Sequence, residues 1–377
     1  MNTRTWKLAI VPALLMTLAA CSSNQASAPA VSPSPQPTAA PVEASAQPTE
    51  GPKVTPAPAE AAGVTVGESK QYEKIAISDW KDDRTVVVSK QNDKLGPISS
   101  GELKGSYPQS LYFFHLDTGE YELITEKANM MLGDAKLSAD QLFLLYSEFS
   151  LGDPVYNVMD LGSKKTFTIK GDTIAGAMGA DWADKDTVVG PAYSGGAYTA
   201  TATSMKIAPV EGLGGEGLIV VRQIKDKIYY TSNSKDSLHS LDLNTKAKAD
   251  LNIPGASSVI PSSDEEQMLI LQYKETTQSL LLSGTDGKNP RTLVEGAELG
   301  AVSWSPDQRL IAYSVTLEEN GTTNHTLYVY DLTSDKSVQI AESNGTMTTS
   351  WSPSGKQLAY TERDDSGSSS SIVQLKY

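Results

Sequence analysis

Three histidines, His115, His239 and His325, are the residues of this 377-residue chain best suited to hold a metal or to move a proton near neutral pH. They are far apart in sequence and lack the close pairing that zinc enzymes show. Only a fold that brings distant segments to one central channel would collect them. Gly212-Leu213-Gly214-Gly215-Glu216-Gly217 has the glycine spacing of a dinucleotide-binding turn, which needs a helix behind it so that helix amides meet the pyrophosphate. The next residues, Leu218-Ile219-Val220-Val221, read as a strand, so a flexible connection is expected instead. Ser232-Asn233-Ser234-Lys235 has the spacing of a Ser-Lys nucleophile but sits in a polar turn with no second motif. Ala192-Tyr193-Ser194-Gly195-Gly196 comes nearest to a nucleophile elbow and lacks its first glycine. No run alternates oxygen ligands as a calcium loop does. No catalytic, cofactor-binding or metal-binding residue is assigned, and no cofactor is expected.

Cys21 is the one cysteine and closes the run Leu18-Ala19-Ala20-Cys21. Ahead of it stand Arg4 and Lys7, then a mostly apolar stretch from Leu8 to Ala20 that is too short to span a bilayer. A charged start, an apolar middle and small residues at the end are the parts of an export signal. The run resembles the lipobox of bacterial lipoproteins, in which the cysteine thiol is joined to diacylglycerol and the chain is cut on its amino side. That resemblance implies a signal peptide over residues 1–20, recognition by the signal peptidase through Leu18, Ala19 and Ala20, and lipidation of Cys21. Two or three acyl chains, at about 0.8 kcal/mol per buried methylene, hold such a protein at a bilayer. The expected place is the extracytoplasmic side of a bacterial cell membrane. The exported part then has no thiol to spare, and its fold must close by packing and hydrogen bonds alone.

Residues 1–20 hold two basic side chains and no acidic one, so the remainder carries 29 Lys and Arg against 45 Asp and Glu, a net charge of −16. That balance repels nucleic acid and anionic headgroups. From Ser22 to about Gly63 the chain is almost wholly Ala, Pro, Ser, Thr, Gln and Glu, with nothing to bury, which predicts a disordered tether over 21–62. A folded domain is expected over 63–377.

The elements of that domain repeat. Trp80, Trp182, Trp304 and Trp351 are each followed seven residues later by an aliphatic residue, Val87, Val189, Ile311 and Leu358, inside a strand-like run. Their separations of 102, 122 and 47 residues equal two, three and one units of roughly 40 to 50, the period of propeller blades. Units without tryptophan fill the gaps: Leu137 stands in the tryptophan place ahead of Phe143-Leu144-Leu145-Tyr146, and two further units carry Ile228-Tyr229-Tyr230 and Met268-Leu269-Ile270-Leu271. A third strand often ends in Asp and a turn, as at Asp160, Asp242 and Asp331. Polar and apolar residues alternate between turns every eight to twelve positions, which predicts an all-β fold of antiparallel strands stacked four to a blade. Seven blades are favoured, with six as the alternative count. The last unit, from about Thr346, has three strand candidates, so residues 63–71 are expected to donate the fourth and close the ring. The four tryptophans are expected to pack between blades as structural anchors.

Ser303-Trp304-Ser305-Pro306-Asp307-Gln308-Arg309-Leu310-Ile311-Ala312-Tyr313 and Ser350-Trp351-Ser352-Pro353-Ser354-Gly355-Lys356-Gln357-Leu358-Ala359-Tyr360 resemble the WD40-like repeat of TolB-type propellers, and Asp286-Gly287-Lys288-Asn289-Pro290-Arg291-Thr292-Leu293 is similar to the segment between such repeats. The resemblance is clear from about residue 255 onward and implies a β-propeller. It brings no catalytic residue, and lipidation departs from the soluble periplasmic pattern of TolB itself.

The functional expectation is a membrane-anchored binding or scaffolding module, monomeric, whose partner is a protein or wall glycan of the cell envelope, and not an enzyme. The Gly-, Ser- and Tyr-rich segment from Tyr193 to Tyr198 is a candidate for adaptable contacts. The alternative is a propeller enzyme, a lyase or hydrolase acting on a saccharide or lactone, with His115, His239 and His325 around a metal at the channel mouth.

Overall fold

The computed structural model describes residues 63–150, 152–319, 322–364 and 367–377. The signal peptide over 1–20 with Leu18, Ala19 and Ala20, lipidated Cys21 and the tether over 21–62 lie outside the described residues.

Among the described residues 28 strands follow one another, with a single 3-10 turn at Asp93–Leu95. After β1 (Thr65–Glu73), the first blade holds β2 (Ile75–Asp82), β3 (Thr85–Gln91), β4 (Gln109–His115) and β5 (Tyr121–Thr125). The second holds β6 (Met131–Leu137), β7 (Phe143–Phe149), β8 (Val155–Asp160) and β9 (Thr166–Thr168). The third is β10 (Asp181–Trp182), β11 (Thr187–Pro191), β12 (Ala197–Thr201) and β13 (Lys206–Pro209), and the fourth β14 (Leu218–Ile224), β15 (Lys227–Ser232), β16 (Lys235–Asp242) and β17 (Lys248–Pro254). Next come β18 (Ala256–Pro261), β19 (Gln267–Lys274), β20 (Thr277–Gly284) and β21 (Arg291–Gly296), then β22 (Glu298–Trp304), β23 (Leu310–Glu319), β24 (Thr322–Asp331) and β25 (Lys336–Ser343). The seventh blade has β26 (Thr346–Trp351), β27 (Gln357–Asp364) and β28 (Gly367–Lys376), and takes β1 as its outer strand.

Pairing within each blade is antiparallel, and one parallel bridge, Gln109 to Met131, joins the first two sheets. First strands pack on first strands of neighbouring blades, β2 on β6, β14 on β18, β18 on β22, β22 on β26, and β26 back on β2. The first strands therefore surround the axis and the ring is closed. It has the seven blades that the tryptophan spacing favours. Closure uses the amino-terminal strand as expected, with Thr65 opposite Lys376 and Glu73 opposite Ser369, two residues further along the chain than the expected 63–71.

Local chemistry explains the repeat. Between first and second strands, the buried Ser138, Ser262 and Ser305 each donate to an Asp two residues on, at 2.7, 2.7 and 2.5 Å. Each hydroxyl also accepts the N–H five residues on, from Phe143, Gln267 and Leu310. Such bonds satisfy a turn's backbone where no ladder can. At the end of the third strand, Asp160 accepts the N–H groups of Gly162 and Ser163, and Asp242 those of Asn244 and Thr245.

Apolar faces of neighbouring blades form the core, as where Ile75, Ile77, Trp80, Val86 and Phe114 meet Ala359 and Ile372. The seam between last and first blades is also polar. Ser370 donates to the Ile75 carbonyl at 3.0 Å and accepts the Ile77 N–H, and Thr361 donates to the Ile77 carbonyl at 2.9 Å.

Candidate functional site

Each tryptophan indole N–H reaches the first strand of the preceding blade: Trp80 to the Ser350 carbonyl at 3.1 Å, Trp182 to the Lys136 carbonyl at 3.0 Å, Trp304 to the Ile260 carbonyl at 3.2 Å, and Trp351 to the Ser303 hydroxyl at 3.1 Å. Opposite them on the second strands stand Val86, Val188, Ile311 and Leu358. In the first and third blades the facing residue is thus the sixth on rather than the seventh, because the turn between is one residue shorter.

The residue before each tryptophan place builds a polar arc around the axis. In the first three blades these are Asp79, Lys136 and Asp181, and Arg222 follows on the first strand of the fourth. Asp79 accepts the Trp80 N–H at 2.8 Å and, across the seam, the Leu137 N–H at 2.7 Å. Lys136 donates to Asp181 at 2.9 Å, and Arg222 approaches the other oxygen of Asp181 at 3.3 Å. Ion pairs at Asp181 join the second, third and fourth blades, and the Leu137 bond to Asp79 ties the first to the second. The two carboxyls differ in electrostatics. Burial pushes Asp79 up to about 6, against the pull of its two backbone donors and of Lys136. Burial also acts on Asp181, but Lys136 and Arg222 outweigh it and hold that group below the usual carboxylate range.

Above this arc the ring is asymmetric. Strands alternate in direction, so the turns between second and third strands and the links from blade to blade emerge at one end. From the first blade to the start of the fourth the longest of these segments are 92–108, 169–180, 192–196 and 210–217. Over the fifth blade they shrink to residues 275–276 and 297. Three of them, 169–180, 192–196 and 210–217, brace one another. Tyr193 N–H donates to the Gly176 carbonyl at 3.0 Å, Ser194 N–H to that of Ile174 at 3.0 Å, and Gly196 N–H to that of Glu216 at 2.6 Å. Gly196 has a φ of +79°, and a Cβ there would stand 2.3 Å from the Leu213 carbonyl oxygen, so only glycine fits. The 212–217 stretch is therefore the link between third and fourth blades but is pinned rather than flexible. Tyr198, expected as an adaptable contact, is wholly buried and donates to the Gly179 carbonyl at 2.8 Å. Tyr193 keeps 45 % of its surface exposed, and Met178 48 %. The Asp153 carboxylate, bonded to the Tyr193 hydroxyl, raises that hydroxyl to about 12. Burial raises the nearby Tyr156, with Arg222 opposing, so the mouth and the charged arc share one field.

The histidines are not brought together. His115, His239 and His325 lie on β4, β16 and β24, the third strands of the first, fourth and sixth blades. His115 ends its strand in the place that Asp160, Asp242 and Asp331 take elsewhere. His239 stacks on Tyr230 with ring centroids 5.6 Å apart, and His325 Nδ1 is 2.9 Å from the Thr316 hydroxyl. Among the described residues no group of three or more His, Cys, Asp or Glu is placed to hold a metal. Sequence reasoning missed the Asp79, Lys136, Asp181, Arg222 arc. The signal was present: in the first three blades a charged residue of alternating sign precedes the tryptophan place.

An oligogalacturonate lyase from Vibrio parahaemolyticus superposes with a TM-score of 0.61 at 10 % identity, covering 82 % of this chain and 97 % of that one. A second oligogalacturonate lyase, in complex with manganese, gives 0.56 at 12 % identity over 82 % and 98 %. The propeller domain of Cps50 (Swd1) from Myceliophteria thermophila gives 0.54 at 10 % identity over 82 % and 99 %. This chain is a β-propeller. The likeness is one of fold, shared by enzymes and by other propellers. No family model and no curated protein sequence matches the chain.

Proposed function

We propose that this propeller is the folded part of a lipid-anchored binding or scaffolding protein of the bacterial cell envelope, attached through Cys21 and engaging its partner with the long segments over the first four blades. The observation that carries the reading is that three of these segments are braced by backbone bonds yet present Tyr193 and Met178 to solvent. Ordered contact residues lose little entropy on binding. The chain joins the ring at the opposite end, where Thr65 pairs with Lys376, which leaves the long segments clear of the attachment. The lipobox resemblance at Leu18-Ala19-Ala20-Cys21 supports the anchor, and the two Ser-Trp-Ser-Pro segments support a TolB-type origin for the repeats. The metal-enzyme alternative needs His115, His239 and His325 around one metal at the channel mouth, and they stand on third strands, away from the first strands that surround the axis.

Crosslinking on intact cells, with the natural protein and a Cys21→Ser version compared by mass spectrometry, tests the reading. A dominant partner captured through residues 169–196 by the anchored form alone is expected. Capture of nothing but bulk membrane proteins, equally by both forms, would overturn it.

A further inference from the structure

Three departures from the repeat converge on the seam between the last blade and the first, at the end of the ring away from the long segments. In β1 the pairing shifts between Val66 opposite Leu375 and Ser69 opposite Val373, which bulges Gly67 and Glu68 against Gln374. A Cβ at Gly67 would lie 3.2 Å from both the Cβ and the carbonyl oxygen of Gln374, so glycine permits the close approach. Bulges re-aim side chains and recur beside binding sites. The first turn of blade one carries Asp83 and Arg84 and, like those of the third and fourth blades, lacks the buried serine that the second, fifth, sixth and seventh have at Ser138, Ser262, Ser305 and Ser352. The third strand of blade one ends in His115 where three other blades have a self-capping Asp.

These departures frame a groove of about 470 Å³, with Glu68, Tyr72, Arg84, Asp117, Gln357 and Gln374 among its walls. A second groove of about 240 Å³ continues from it, sharing Arg84 and Asp117 and reaching His115. The first falls within the size range of small-ligand sites. One wall is fixed in advance, because Asp83 accepts the Ser354 N–H at 3.0 Å and its carbonyl accepts from the Gln357 amide at 3.0 Å. Beside that wall the Gln374 amide, the Arg84 guanidinium and the Glu68 and Asp117 carboxylates offer donors and acceptors to hydroxyl groups. Acids outnumber bases: Glu68, Asp83 and Asp117 face Lys70 and Arg84 in the larger groove, and Asp82 and Glu120 join the smaller one. Anionic ligands are disfavoured by that field.

We propose that this seam groove is a binding site for an uncharged oligosaccharide. The site does not depend on the partner-binding reading of the long segments, which lie at the other end of the ring.

Isothermal titration of the full-length protein with maltotetraose and with chitotetraose, and with tetragalacturonate as the anionic counterpart, tests the proposal. Saturable binding of at least one uncharged probe and none of tetragalacturonate is expected. Arg84→Ala and Gln374→Ala should each weaken it roughly tenfold, the loss of about one hydrogen bond to a charged or amide group, with unchanged melting to show that the ring is intact. Amide shifts on titration should map to residues 68–72, 83–84, 115–117 and 372–374. Binding of neither uncharged probe, equal binding of tetragalacturonate, or binding indifferent to both substitutions would each overturn it.

Discussion

Asp79 and Asp181 occupy the same place in two blades and titrate in opposite directions, because Asp181 is flanked by two cations and Asp79 has backbone donors and burial. A carboxyl whose folded pKa is raised holds its proton more tightly when folded. Its contribution therefore favours the folded state at low pH and is lost as pH rises from about 4 through about 6. The stability of the natural protein relative to Asp79→Asn should fall by up to about 3 kcal/mol between pH 4 and pH 7. Urea unfolding at both pH values checks this, and a constant difference would contradict it. Asp331 is the reverse case. It is fully buried, and bidentate bonds from Arg309 at 2.9 and 3.0 Å hold its carboxyl far below the usual range, so that stability is present above the ordinary carboxylate pKa and lost on acidification. Arg309→Met removes the only cation paired with that buried charge, leaving it the Thr333 bonds, and should cost about 3 kcal/mol, read as a lower melting temperature at pH 7.

Among the elements, β1 is the most separable, since it comes from the far end of the chain and its residues are mostly exposed. It nevertheless covers the outer edge of β28, and Val64 just before it is buried against Leu310, Leu327 and Trp351. Deleting residues 63–73 should lower the melting temperature by about 5 °C, as expected for losing about 3 kcal/mol in a domain of this size. Melting that stays the same would mean that the ring closes without its fourth strand. Most of this level was legible beforehand. The apolar strand runs Leu144-Leu145-Tyr146 and Leu269-Ile270-Leu271 and the Asp-ended third strands are local, and so is the shortage of a strand in the last unit. Less legible was the bracing of 192–196 by 210–217. Gly195 and Gly196 look like tokens of flexibility in the sequence, and they are the close-contact points of two ordered segments.

At the scale of the whole molecule the ring has two unlike ends, one with long segments over four blades, three of them braced, and one with the chain's point of attachment and the seam groove. The proposed anchor acts at this scale too. In cell fractionation the natural protein should sediment with membranes and Cys21→Ser should be released, with no change in propeller melting. Equal sedimentation of both would remove the lipid from the account. Read alone, the sequence specified the strands, the turns and the closing strand and favoured seven blades over six, because each follows from contacts within a blade or from a period that repeats along the chain. It also carried the whole case for Cys21, a local motif. Tertiary structure alone decided which side chains meet across seams. Lys136 and Asp181 are 45 residues apart and become neighbours only when successive blades turn about one axis. The same rotation holds His115, His239 and His325 apart, since residues on third strands of different blades are carried outward from that axis.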